Sequence, residues 1–304
     1  MNLRDLRYLV AVAEHRHFGR AAEACFVSQP TLSAQLKKLE SFLGVQLVER
    51  SSKQVMLTPI GDEVAHRARG MLNLADDIVE VARAASDPLA GDLRLGVIPT
   101  VAPYLLPHLV PALRASLPRL RPLLQEEQTA VCLDKLRNGF LDLALIAIPV
   151  EGHEAFAQLP LYDEPFLLAT PADHPLAARE KVRLDDLADA RLLLLEEGHC
   201  LRDQALSVCQ TVGASEAREF RATSLETLRQ MAITGAGITL LPRMAAQAAP
   251  PGVQSEALAL RRFHDPQPSR RVAALWRKGS AREPTVRAVA DVIRNLAVVR
   301  GLSD

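Results

Sequence analysis

Two cysteines in one short run are the residues best equipped for chemistry. Cys200 follows Gly198-His199 and heads the run Cys200-Leu201-Arg202-Asp203-Gln204, and Cys209 comes nine positions later. The apolar stretch Leu192–Leu195 predicts a strand, Gly198 a turn, and Cys200 the opening of a helix. A thiol at a helix N-terminus sits in a field that favours the thiolate, its nucleophilic form. His199 and Arg202 bring further polar groups into the same turn. The plain alternative is a pair of structural cysteines in a core. Nine residues of helix advance about 13.5 Å, whereas a disulfide needs α-carbons within about 7 Å. A bond between the two therefore requires the helix to unwind or fold back. Closing that loop constrains the chain by roughly 3 kcal/mol, about a hundredfold on a balanced two-state equilibrium. Cys25 and Cys132 stand alone and read as buried fillers. No His/Cys spacing suits zinc, so neither metal nor organic cofactor is expected.

The elements around this run alternate. Leu93–Ile98, Leu143–Ile148, Phe166–Thr170, Leu192–Leu195, Ile238–Leu241 and Val272–Trp276 read as strands. Between them Tyr104–Ser116, Val131–Asn138, Arg202–Val212 and Ser224–Thr234 read as helices. Such βα alternation predicts parallel-sheet α/β architecture with strands enough for two small sheets.

The N-terminal segment differs. Apolar spacing predicts short helices through Leu3–Val10 and Phe18–Ala24, then a third with Leu32, Leu36 and Leu39 inward. Ser28 is a natural N-cap, and Pro30 fits a first turn. The opposite face carries Gln29, Pro30, Thr31, Ser33 and Lys37, short polar and cationic groups suited to base edges in a major groove. Leu47–Arg50 and Val55–Leu57 predict a β-wing around Ser51–Gln54, where Arg50 and Lys53 suit phosphates. The layout is that of a winged helix-turn-helix; the competing reading is an ordinary solvated helix face. Thr58-Pro59 then opens a long helix to about Ala85, whose narrow apolar stripe suits pairing with a second copy.

The 304 residues carry 36 basic and 36 acidic side chains. That length implies more than one domain. The zero balance argues against a uniformly basic nucleic-acid binder. It hides an asymmetry: residues 1–58 hold eight basic and five acidic groups, a head at +3 on a body at −3. No apolar stretch predicts a membrane span or a secretory leader, so the protein is expected to be cytoplasmic, with its thiols reduced.

Residues 1–60 resemble the LysR-type transcriptional regulators, through Leu3-Arg4-Asp5-Leu6-Arg7-Tyr8-Leu9, Ser28-Gln29-Pro30-Thr31-Leu32-Ser33, Leu43-Gly44 and Thr58-Pro59-Ile60-Gly61. The resemblance covers nearly the whole chain. It implies a winged helix-turn-helix over 1–58, a dimerising linker helix over 59–87 and a regulatory domain over 88–304. That domain would have two Rossmann-like lobes like those of periplasmic binding proteins, 88–162 with 268–304, and 163–267. It further implies a homodimer assembling to a homotetramer on double-stranded DNA, acting with RNA polymerase.

Gly198–Gln204, Pro99–Pro107, Thr223–Arg229 and Gly237–Pro242 are similar to the hydrogen-peroxide-sensing members of that family. This implies a peroxidatic Cys200, a resolving Cys209, and Thr100, Thr129 and His199 around the peroxide, with Arg271 taken as the arginine beside the thiolate. Cys200 would become a sulfenic acid, condense with Cys209 to a disulfide and be reset by a cellular dithiol. One peroxide per reduction makes a switch, not an enzyme. An alternative within the family is a small organic ligand between the lobes, leaving both cysteines structural. A thiol peroxidase or periplasmic binding module fits poorly with the N-terminal helix-turn-helix.

Overall fold

In a computed structural model the described residues are 1–50, 55–84, 87–188, 190–210, 213–248 and 257–302. The chain divides into two compact units, Met1–Ser86 with Asn138–Phe140, and Asp87–Arg137 with Leu141–Asp304.

The first unit begins with α1 (Leu3–His15), α2 (Phe18–Ala24) and α3 (Gln29–Leu43). Each start has a side-chain cap. Asn2 and Asp5 form a reciprocal capping box, the His17 ring accepts from Gly19 and Arg20, and the Ser28 hydroxyl accepts from Thr31. Gly44, at φ +70°, ends α3 in the left-handed region. Leu9, Val12, Leu32, Leu36 and Leu39 are buried together in the core of this unit. Strands β1 (Val48–Arg50) and β2 (Val55–Leu57) pair antiparallel as the wing. The Glu40 carboxylate accepts from the Leu47 and Val48 N–H groups, tying α3 to it. The Thr58 hydroxyl caps Gly61 as α4 (Pro59–Ala84) begins. A Cβ on Gly61 would lie 2.0 Å from the Leu47 carbonyl oxygen, so only glycine fits there. Over 26 residues α4 is about 39 Å long. It leaves Met71, Leu74, Ile78 and Val79 exposed.

The second unit runs β3 (Gly91–Val97), α5 (Ala102–Ser116), β4 (Leu120–Glu126), α6 (Thr129–Arg137), β5 (Leu143–Ile148), β6 (Ala157–Pro171) and β7 (Lys181–Val182). It continues through β8 (Arg191–Leu195), α7 (Cys200–Gln210), β9 (Ser215–Ala222), α8 (Leu225–Ile233), β10 (Thr239–Pro242), α9 (Arg243–Gln247) and β11 (Leu258–Phe263). It closes with β12 (Ser269–Trp276), α10 (Glu283–Asn295) and α11 (Ala297–Arg300). One ladder runs β4-β3-β5-β12-β6-β11-β7, with β10 also on β6, and β8 and β9 pair separately. β6 is the hinge of this arrangement: its first part pairs with β12, and its second with β10 and β11. The parallel pairing expected from the βα alternation holds for part of the ladder, which is mixed. β3 with β4 and β5, and β8 with β9, are parallel, but β12 runs antiparallel to both neighbours. Buried residues form one core around Leu93, Leu145, Val272 and Trp276, and another around Phe166, Leu193, Leu228 and Phe263. Among the described residues no helix is long and apolar enough to cross a membrane.

Candidate functional site

On α3 Leu32, Leu36 and Leu39 are buried, while Gln29, Pro30, Thr31 and Lys37 are exposed and Ser33 is half-buried. The Ser28 and Thr31 hydroxyls share a 2.8 Å hydrogen bond, fixing the start of this face. Just ahead of it Phe26 is 96% exposed at φ +55°. Arg50 closes β1, but its side chain and the whole of Lys53 lie outside the described residues.

In the second unit Cys200 is the first residue of α7, a free thiol only 6% exposed. Gly198 makes the turn at φ +96°, where a Cβ would meet the Gln128 side chain at 2.6 Å. Arg202, in the same turn as the thiol, is occupied elsewhere. Its Nη1 and Nη2 donate to the two Glu216 carboxylate oxygens at 2.7 and 2.8 Å, and Nη1 also donates to the Leu195 carbonyl. It clamps the start of α7 onto β8 and β9.

Cys200 opens on two cavities. One, of about 430 Å³, is shared with Thr129, Gly198 and Asp203. The other, of about 450 Å³, is shared with Gln204, Ser269 and Arg270. Among the described residues the Thr129 hydroxyl and both polar atoms of the Gln204 amide are buried without a hydrogen-bond partner. Groups so placed are ready to hold a small polar molecule. His199 is buried and faces a neighbouring cleft of about 580 Å³ with Thr100, Tyr104, Gln128 and Ser224. Burial pushes its imidazole below the ordinary value, which favours the neutral ring.

The arginine assignment is corrected. Arg271 is exposed and donates to both Asp163 oxygens at 2.7 and 2.8 Å. Arg270, one residue earlier on β12, points inward. Its Nε and Nη2 donate to Glu164 Oε2 at 2.9 and 2.7 Å, its Nη1 to Thr100 Oγ1 at 2.8 Å and its Nη2 to the Thr100 carbonyl. Successive strand residues face opposite sides, so only one of the pair can reach the thiol. Cys200 lies within the electrostatic reach of Arg270. Glu164 Oε1 in turn accepts from the Met244 N–H at 2.8 Å.

Thr100, Thr129, His199 and Cys200 therefore line adjoining cavities on the second unit, with Arg270 in place of Arg271. Cys209 lies on α7, nine helical residues from Cys200, which sets their α-carbons about 13.5 Å apart. Its side chain is outside the described residues. Cys132 is buried, donates its thiol to the Glu127 carbonyl, and is pushed up to about 12, mainly by burial. Cys25 is only partly buried, and burial raises it too. Among the described residues no group of His, Cys, Asp and Glu is placed to hold a metal ion. Glu164 and the Arg202 clamp had no part in the sequence reading, and Gln204 entered it only as the end of the Gly198–Gln204 run; for Glu164 the available signal was the adjacent pair Asp163-Glu164, able to face Arg270-Arg271 across two strands.

Residues 3–62 match the bacterial regulatory helix-turn-helix proteins of the lysR family, and residues 86–297 match the LysR substrate binding domain. The DNA-binding transcriptional dual regulator OxyR of Escherichia coli is 48% identical over 294 residues, covering 97% of this chain and 95% of that protein. The hydrogen peroxide-inducible genes activator of Haemophilus influenzae is 43% identical over 302 residues, covering 97% and 98%. A full-length OxyR variant from Pseudomonas aeruginosa superposes with TM-score 0.79 at 41% identity, covering 99% of this chain and all of that one. The chain therefore belongs to the LysR family of bacterial helix-turn-helix transcriptional regulators, DNA-binding proteins rather than enzymes.

Proposed function

We propose that this regulator senses hydrogen peroxide through Cys200 and Cys209. The observation that carries the reading is a buried free thiol at the first residue of α7, opening on the unpartnered Thr129 hydroxyl and on Arg270. The names of the relatives point the same way. The Cys200 thiolate attacks one peroxide oxygen, and the O–O bond breaks. The other oxygen departs as hydroxide, taking a proton to become water, and Cys200 is left as a sulfenic acid. The Cys209 thiolate then attacks that sulfur, a second water leaves, and two thiols and one peroxide have become a disulfide and two waters. Thr100, Thr129 and the neutral His199 orient the peroxide, while the Arg270 cation favours the thiolate. The disulfide cannot form across intact α7, so oxidation selects another packing of the segment. A cellular dithiol restores the resting state.

In the same reading α3 enters the major groove with Gln29, Pro30, Thr31, Ser33 and Lys37. Arg50 and Lys53 hold the wing on the backbone. The exposed apolar residues of α4 pair two copies of the linker helix over 59–87, dimers join into a tetramer, and RNA polymerase meets the assembly in the cytoplasm. The regulatory domain over 88–304 then responds as lobes 88–162 with 268–304, and 163–267. Peptide mapping of reduced and peroxide-treated protein, with footprinting on the same samples, tests this. A Cys200–Cys209 disulfide and an altered footprint are expected, and Cys200→Ser should bind DNA without responding. A second reading rests on the cleft at Thr100 and His199, whose roughly 580 Å³ is ample for a small organic effector. It predicts a peroxide-insensitive footprint that a small molecule changes.

A further inference from the structure

A separate cleft of about 550 Å³ lies on the second unit, lined from β6, α9, β11, α10 and α11. Its wall carries Arg243, Arg262, Arg294 and Arg300 against two carboxylates, Asp163 and Asp265. Asp163 is already held through both oxygens by Arg271. Setting Arg262 aside, three guanidinium groups, Arg243, Arg294 and Arg300, line the cleft with Asp265 among the described residues.

Arg243 is the residue that calls for a ligand. It is 9% exposed, and its one hydrogen bond among the described residues is a 3.3 Å contact from Nη1 to the Leu302 carbonyl. No described carboxylate lies within ion-pair distance of it. A guanidinium has five N–H donors, so among the described residues most donors of Arg243 have no protein partner and open on the cleft. A buried charge is tolerated when it is paired, because desolvation costs several kcal/mol otherwise. Arg294 donates to the Pro160 carbonyl and lies 3.9 Å from Asp291, and Arg300 donates to the Asn295 amide oxygen. Each keeps further donors. Leu161, Val299 and Leu302 add an apolar lining beside the cations.

We infer that this cleft binds a small organic anion carrying at least two carboxylate or phosphate groups. Guanidinium forks match both groups bidentately, and the apolar lining takes the carbon skeleton. Cys200 is not among its lining residues, although Ser269 borders both this cleft and the second Cys200 cavity, and the inference does not depend on the peroxide reading. It is tested by titration calorimetry of the reduced full-length protein with citrate and with inorganic pyrophosphate, at ionic strength matched with sodium chloride. Saturable binding of one or both probes is expected, with acetate at least ten times weaker. Arg243→Met should weaken the better probe at least tenfold. Arg300→Gln, at the exposed end of α11, should weaken it several-fold with no risk to the core, and neither variant should change DNA affinity. Absence of saturable heat for both probes overturns the inference. So does unchanged probe affinity in Arg300→Gln and Arg243→Met, or a loss confined to DNA binding.

Discussion

The Glu164–Arg270 pair allows a quantitative test of how the sensing site is held. Both side chains are essentially inaccessible, 0% and 1% exposed. Removing the arginine in Arg270→Met leaves a carboxylate in the core with the Met244 N–H as its remaining donor, and takes two donors from Thr100. Breaking a buried pair from one side costs about 3–5 kcal/mol. For a domain of about 150–250 residues each kcal/mol lowers Tm by roughly 2–4 °C, so a fall of roughly 6–20 °C is expected. Glu164→Gln alone should also destabilise, leaving a buried cation short of a partner. The double variant R270M/E164Q removes both charges, and should recover at least half of the loss seen in Arg270→Met. Thermal unfolding of the reduced protein measures the cycle. The rate of Cys200 oxidation, followed by thiol trapping, separates structure from chemistry. It should stay low in both variants lacking Arg270, even where stability returns. An Arg270→Met protein within about 1 kcal/mol of the parent, or a double variant no better than the sum of the singles, would refute the assignment of a strongly coupled buried pair.

Three further outcomes follow from single side chains. Lys37→Ala should weaken operator binding and reduce the magnitude of the log–log salt slope by about one, as measured by fluorescence anisotropy; an unchanged slope would remove Lys37 from the phosphate contacts. Because burial lowers the His199 pKa, the unfolded chain takes up a proton there before the folded one. Stability should therefore decline as pH falls through about 6.5, and His199→Gln should flatten that part of a urea-midpoint series between pH 8 and 5. Phe26 holds a left-handed backbone at φ +55° and is almost fully exposed, so Phe26→Asn should stabilise the head by up to about 1 kcal/mol in denaturant melts. A loss of stability would mean that the ring packs in solution.

What could be read from the sequence follows a physical division. Helix starts were legible because their signals are local: Ser28 caps α3 on its own side chain, and Gly198 followed by a helical run places Cys200 at the head of α7. The apolar runs at Leu143–Ile148 and Leu192–Leu195 were legible because every residue from Leu143 to Ala147 and from Leu192 to Leu195 is buried, whichever face it is on. β4 and β9 were not, since Leu120–Glu126 and Ser215–Ala222 mix charged with apolar residues and look like surface loop. The arginine was missed for a different reason. From Val272 to Trp276, β12 is buried without a break, so its sequence carries no phase that says which of Arg270 and Arg271 turns inward. The phase comes from a partner more than a hundred residues away, through the register Arg270↔Glu164 and Arg271↔Asp163. The two pairs are chemically alike and adjacent, yet their consequences differ widely. The exposed Arg271–Asp163 bridge is worth about 0–1 kcal/mol. The buried one costs several kcal/mol to break from one side. Desolvation makes that difference, and desolvation is fixed by strand pairing rather than by residue type. A cation beside the thiol is therefore a tertiary property of this chain, and variants at Arg270 and Arg271 should separate cleanly although the residues are neighbours in sequence.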